Sequence, residues 1–333
     1  MSTIVRLLAC LTVACVSPGI PAQEPAAAEP AVLEAVVVSG EQPGPGLWKV
    51  TRNGHVLWIL GTTRPLPKDM TWLSRDVEAV IAESGEVIMP PHASINVKGG
   101  LLGGLLLAPS LIGARNNPDD KTLADVIPAD LHARWSVLRQ RYLPRDKGVE
   151  NRRPVFAAFE LFEAAIDQAG LSFKDIVTPV VRRAAKRAKV AMTEPGVVLK
   201  IDKARAAIKE FKKASLDDLD CLRKTLDLVE GGLDVLRQRA NAWAIGDVEA
   251  LASLTYVDHY RPCQDALMRS AVAEQRGIDE LPDQVRQAWL DAVDQALTRH
   301  ATSFASLGVV TLTEAGGFLE HLRTLGVDIE PPP

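Results

Sequence analysis

Leu47-Trp48-Lys49-Val50-Thr51-Arg52-Asn53-Gly54-His55-Val56-Leu57-Trp58-Ile59-Leu60 sets the structural class of this chain. Two runs rich in aliphatic, aromatic and β-branched residues flank Asn-Gly, the pair that best tolerates the positive φ angles of a two-residue hairpin turn. Downstream, Leu73, Val77, Val80 and Ile81 recur at i, i+4, i+7 and i+8, the spacing of one helix face. Val87-Ile88-Met89 is a short apolar run closed by Pro90-Pro91, which reads as a buried strand. The folded part therefore opens as strand, strand, helix, strand.

The C-terminal end repeats these signals. A helix carrying Trp289, Val293, Ala296 and Leu297 leads into Phe304 to Thr311, predicted as a strand. Gly316-Gly317 opens a short helix with Leu319 and Leu322, and Gly326 supplies a left-handed cap. Val327-Asp328-Ile329 then reads as an edge strand before the terminal prolines. Between the two ends the pattern is mainly helical. Helices are predicted over 128–142, about 154–169 and 180–188, followed by the strand-like Val190-Ala191-Met192. Ser215 and Asp218 resemble a capping box ahead of the stripe Leu219, Leu222, Leu226 and Val229. The predicted class is α/β (α+β), with a central mixed sheet built from N- and C-terminal segments and a helical middle as its cap.

The 333 residues are 47% hydrophobic and 24% charged, the profile of a folded globular chain. Aromatics are only 5%, so the core must rely on Leu, Val, Ile and Ala. A net charge of −4 with scattered Lys and Arg argues against nucleic-acid binding, which needs a basic stripe to displace counterions. Beyond the N-terminus no apolar run reaches the length of a transmembrane helix.

Residues 1–22 read as an export signal: Arg6, the apolar run Leu7 to Val16, the breakers Ser17-Pro18-Gly19, and Ile20-Pro21-Ala22 at the cleavage point. A lipobox is the competing reading. Cys10 leaves almost no apolar segment before it, whereas Cys15 in Thr12-Val13-Ala14-Cys15 is better placed for a lipid anchor. Residues 23–44, rich in Ala, Glu and Pro, read as a spacer, and residues 45–330 as the folded domain. The expected location is the periplasm or cell envelope. Cleavage after Ala22 would leave Cys221 and Cys263, for which a disulfide is the default in an oxidising compartment. A metal site joining Cys263 to His259 is disfavoured, because Pro262 interrupts the helix that this spacing requires.

One stretch stands apart. Gly99 to Gly113 contains five Gly and seven Leu or Ile residues, too short and too broken to cross a bilayer. A Gly-rich helix or loop packed on the core is the plain expectation; a lid or apolar contact surface is the other. The usual catalytic signatures are missing: no HExxH, Walker loop, GxGxxG after a strand, GxSxG or CxxC. The six histidines are dispersed, with none at i+3 or i+4 from another, and His55 and His321 read as surface residues.

Taken in order, Leu47-Trp48-Lys49-Val50, Leu57-Trp58-Ile59-Leu60-Gly61-Thr62-Thr63, Val87-Ile88-Met89, Val190 to Glu194, Arg286 with Trp289, and Gly316-Gly317-Phe318-Leu319 to Val327 resemble the TraB/GumN (Tiki-like) family over most of 45–330. The resemblance implies the same sheet arrangement. It also implies a metal-dependent peptidase with two Gly-x-x-His motifs and an acidic residue after the second core strand. Laid on this chain, the first motif reads Gly61-Thr62-Thr63-Arg64, the acidic position falls on Pro90, and the second histidine falls near Thr311. Only Glu194 keeps its type.

A divalent metal needs imidazole nitrogens or carboxylate oxygens converging at about 2.0–2.2 Å. Arg64 stays protonated and repels a cation, Pro90 offers no side-chain donor, and Thr311 is a weak ligand. No catalytic residue and no cofactor is therefore assigned. Arg64 and Glu194 are the binding candidates, with Arg64 suited to a carboxylate through paired hydrogen bonds. The expected function is an exported, non-catalytic relative of the family that binds a small anionic ligand or an unknown protein. The alternative is a Tiki-type, metal-dependent hydrolase with relocated groups among Glu194, Asp258 and His259. A third reading is an assembly factor that uses Gly99 to Gly113 as its contact.

Overall fold

The computed structural model describes residues 37–97, 100–231, 233–254 and 260–332. The expected export signal, Cys15, most of the spacer, and Asp258 and His259 lie outside these residues. The strands of the first third are β1 (Gly40–Gln42), β2 (Leu47–Arg52), β3 (His55–Thr62), β4 (Leu66–Pro67), β5 (Met70–Trp72), β6 (Glu86–Ile88) and β7 (His92–Val97). Later come β8 (Leu171–Ser172), β9 (Ala191–Thr193), β10 (Gly196–Ile201), β11 (Thr302–Gly308) and β12 (Asp328–Glu330). The helices are α1 (Arg75–Glu83), α2 (Gly100–Leu111), α3 (Leu123–Val126), α4 (Ala129–Tyr142), α5 (Pro154–Gln168), α6 (Thr178–Ala188), α7 (Ala204–Lys213) and α8 (Leu219–Glu230). They continue as α9 (Asp234–Ile245), α10 (Val248–Ser253), α11 (Tyr260–Met268), α12 (Ala271–Glu274), α13 (Leu281–Arg299), α14 (Val309–Thr313) and α15 (Phe318–Thr324).

The central sheet has the order β12-β2-β3-β11-β6-β9. β2 pairs antiparallel with both β12 and β3, whereas β3, β11, β6 and β9 run parallel. The hairpin forms as the sequence requires, with Asn53 and Gly54 both at positive φ (52° and 82°). N- and C-terminal segments supply five strands, and the helical middle contributes β9.

Alternation along the strands feeds two cores on opposite faces. Val50, Leu57, Ile59, Ile88 and Ala305 pack with Trp289, Val293, Leu312, Phe318 and Leu322 from α13, α14 and α15. Leu60, Val87 and Phe304 pack on the other face with α1, α5, α6, α8 and α9. Helices on both faces of a mostly parallel sheet are the expected α/β layering.

Several boundaries depart from the sequence reading. Leu73 lies outside the helix, which starts at Arg75, and is 52% exposed. The C-terminal strand stops at Gly308, because Val309 and Leu312 are both buried in the same cluster; residues three apart share a face in a helix and not in a strand. Asp218 does not cap its own helix with its side chain. Its carboxylate instead accepts the Val155 N–H (3.0 Å), one of the donors left unpaired in the first turn of α5. Residues 37–44, at the end of the expected spacer, pack on the domain: β1 pairs with β5, and the Val38 N–H donates to Asn241 Oδ1.

Within the glycine-rich stretch, Gly100–Leu111 forms α2, with Pro109 inside it, and its second half is not packed in the core. Leu105, Leu106, Leu111 and Ile112 are 54–76% exposed. Cys221 on α8 and Cys263 on α11 stand at bonding distance, with sulfurs 2.06 Å apart. Among the described residues no helix is long and apolar enough to cross a membrane.

Candidate functional site

In an open parallel sheet the carboxyl ends of the strands are where ligands bind. Here β3, β11 and β6 lie side by side and end at the same edge. The chain leaves β3 through Thr62-Thr63-Arg64, β6 through Met89-Pro90, and β11 at Gly308. Thr62, Thr63, Arg64, Pro90 and Gly308 line one cavity of about 160 Å³. The loop before α6 closes it with Lys174, Asp175 and Thr178.

Gly61 holds this exit in place. A Cβ there would meet the buried Trp48 ring at 2.4 Å, so only glycine lets β3 and Trp48 approach this closely. The Gly61 carbonyl accepts the Trp243 indole N–H at 2.7 Å. The backbone leading to Arg64 is thereby fixed from both sides.

Asp175 accepts the N–H groups of Val177 (3.0 Å) and Thr178 (2.9 Å). Burial pushes its carboxyl up, but hydrogen bonds from Thr178 and Val177 and the nearby Arg64 charge outweigh that, and it lies below the usual carboxylate range. The rim therefore carries two cations, Arg64 and Lys174, against one carboxylate. A net positive rim at a cavity this small suits a carboxylate-sized anion better than a drug-sized ligand, which needs roughly 300 Å³ or more.

The structure brings Arg64, Pro90 and Gly308 together, but not every residue singled out from sequence. Thr311 sits a turn into α14, and the cavity is bounded by Gly308 instead. Glu194 follows β9 at the sheet edge, and its carboxylate accepts Arg182 Nη1–H at 2.5 Å. That hydrogen bond and the charge behind it hold Glu194 below its ordinary value. Glu194 does not line the Arg64 cavity.

The donors at the cavity do not fit a divalent cation: one carboxylate, already taken by two backbone N–H groups, faces a guanidinium and an ammonium. Among the described residues no group of three or more His, Cys, Asp and Glu side chains could hold a metal ion. His55 and His321, read as surface residues, are half-buried, with ring nitrogens against the carbonyls of Leu297 and Gly317. His132 faces Glu150 and His300 faces Glu86.

Sequence reasoning missed Lys174, Asp175 and Thr178. One signal was present. Asp175 precedes Thr178-Pro179, and an acidic residue followed by proline in the first helical turn marks a helix start. That these residues face Arg64, more than a hundred positions earlier, is a property of the tertiary fold. A larger groove of about 1140 Å³ lies between α8, α11, α12 and α14 and contains neither Arg64 nor Glu194.

Comparison with known proteins gives one match. The sequence profile of the TraB/PrgY/gumN family matches residues 46–331. No curated protein and no solved structure matches the chain.

Proposed function

The chain belongs to the TraB/PrgY/gumN family, and on that premise we propose that it is an exported binding protein of the cell envelope. It takes a small anion, or a partner presenting one, at Arg64, and it has no metallopeptidase activity. The observation that carries this reading is the cavity at the carboxyl ends of β3, β6 and β11, where Arg64 and Lys174 stand and a metal's ligands do not. A guanidinium at such an opening binds a carboxylate through two parallel hydrogen bonds, and Thr62 and Thr63 add hydroxyl donors around it. Without a metal, nothing there lowers the pKa of a water or polarises a peptide carbonyl.

The test is calorimetric titration of the purified protein with short carboxylates and inorganic phosphate. Binding should weaken at least about tenfold in Arg64→Ala and be partly retained in Arg64→Lys, which keeps the charge but not the fork. Unchanged binding in Arg64→Ala would overturn the site. Near-stoichiometric retention of Mn, Co or Zn after dialysis, together with peptide cleavage, would move the relocated hydrolase to the front.

A further inference from the structure

The least expected surface of this protein is α2 and its neighbour. Residues 99–114 carry no charge, yet α2 is not buried: Leu105 and Leu106 are 63% and 68% exposed, Leu111 54% and Ile112 76%. Leu105, Ala108 and Pro109 fall at i, i+3 and i+4, one face of the helix, and all three are exposed, as is Ile112 just past its end. Gly104, Leu107 and Ser110, on the opposite face, are half-buried.

α7 packs beside α2 and has the reverse character. Residues 200–213 hold Lys200, Lys203, Arg205, Lys209, Lys212 and Lys213 against Asp202 and Glu210, in a chain whose net charge is −4. Its apolar side, with Ala207, Ile208 and Phe211, faces inward. Arg205 Nη2 donates to the Leu106 carbonyl (3.2 Å) and Lys212 Nζ to the Ile112 carbonyl (2.5 Å). These two bonds, one at each end of α7, set its basic stripe alongside α2. Lys209 lies between them by helical spacing and, like Lys213, is exposed.

We propose that α2 and α7 together form a membrane-surface docking element, with the apolar face of α2 seated at the headgroup–acyl boundary of an anionic bilayer and the α7 lysines at the level of its phosphates. An apolar helix flanked by cations is the arrangement of interfacial helices, and anionic lipid attracts each surface cation by about 1 kcal/mol. At 12 residues, α2 is about 18 Å long at 1.5 Å per residue, so it lies in the interface and does not span. The composition favours lipid over protein: protein interfaces are enriched in aromatics and depleted in Lys, and this surface is Leu and Ile bordered by Lys.

The experiment is co-flotation of the full chain with vesicles of phosphatidylcholine alone and with phosphatidylglycerol added, at low and high salt. Expected is binding to the anionic vesicles that falls at high salt. Leu105→Ser/Ile112→Ser and Lys209→Glu/Lys213→Glu should each lower the partition at least about tenfold. These positions are exposed, so circular dichroism should be unchanged. The apolar N-terminal segment is common to all variants, so the differences report α2 and α7 alone. Variants that float like the unaltered chain on the anionic vesicles would overturn the proposal. So would a concentration-dependent dimer dissolved by Leu105→Ser/Ile112→Ser without any vesicle binding, which would make a second copy the occupant.

Discussion

The segments 86–97 and 191–201 each run through two environments, and the contrast shows what holds this protein together. As β6 and β9 they are a parallel pair at one edge of the sheet, where Val87 and Ile88 of β6 are fully buried while Ala191 and Met192 of β9, the outermost strand, are exposed. As β7 and β10 they remain parallel partners but leave the sheet, where Ile95 is 63% and Val198 56% exposed. The change falls at Pro90-Pro91 and Glu194-Pro195. Ile88 stands opposite Thr193 and His92 opposite Gly196, so the first segment carries one extra residue at the junction. Three prolines there have no N–H to give the ladder, and only the Met89 and His92 N–H groups bridge it, to the carbonyls of Thr193 and Pro195. Backbone pairing continues across the junction while apolar burial stops along 86–97, so β6 and β7 differ in burial and not in hydrogen bonding.

If that is so, truncations on either side of the junction must cost very different amounts. Phe304→Ala, in the strand beside β6, removes a fully buried ring and should destabilise by about 3–5 kcal/mol. Ile95→Ala and Val198→Ala should stay within about 0.5 kcal/mol. Urea unfolding of the three variants measures this, and a cost above about 2 kcal/mol for Ile95 would mean that the ribbon is part of the cooperative core.

Buried and exposed charges should separate in the same way. Asp218 is 4% exposed beside the buried Arg153, and burial pushes its carboxyl up to about 6 from an ordinary 3.8, against the opposing pull of the Val155 N–H and the Arg153 charge. The folded protein then binds this proton more tightly than the unfolded chain. The group costs nothing below pH 4, and its penalty grows as pH rises from about 4 to about 6, reaching up to about 3 kcal/mol above that. Asp218→Asn keeps the acceptor for Val155 and should remove this slope. Urea midpoints of the two proteins across that window give the difference directly, and parallel curves would show that Asp218 does not carry it.

The same contrast explains what could be read from sequence. The inner strands β3, β6 and β11 were legible because burial on both faces writes them as short apolar runs, and Asn53-Gly54 marks the hairpin from β2 to β3. Arg64 and Pro90 were legible as candidate positions only through the family resemblance, which sets one motif after the β3 run and an acidic residue after the β6 run. β7 and β10 were not: with neither face in the core, His92-Ala93-Ser94-Ile95-Asn96-Val97 has no pattern to distinguish it from a loop, and the prolines before both strands read as terminators. α2 failed in the opposite sense. Its apolar composition pointed inward, but apolar residues are not obliged to be buried, and only the packed structure shows which side of α2 has a partner. Lys174 and Asp175 were invisible because nothing local ties them to Arg64.

The smallest expected effect lies at the junction itself. Arg182 and Glu194 meet at 2.5 Å, and the pairing holds Glu194 below its ordinary value, yet both side chains are nearly half exposed. Water screens such a pair, so a double-mutant cycle of Arg182→Ala and Glu194→Ala should give only a weak coupling that fades further as salt is added. The sequence reading made Glu194 the one residue that kept its family type, which would suggest a structural or catalytic demand on it. A coupling near zero, with no effect of Glu194→Ala on anion binding at Arg64, would leave the prolines alone to turn the chain out of the sheet. A strong, salt-insensitive coupling would mean that the ion pair fixes the exit, and the junction would then be held by charge as well as by the missing N–H groups.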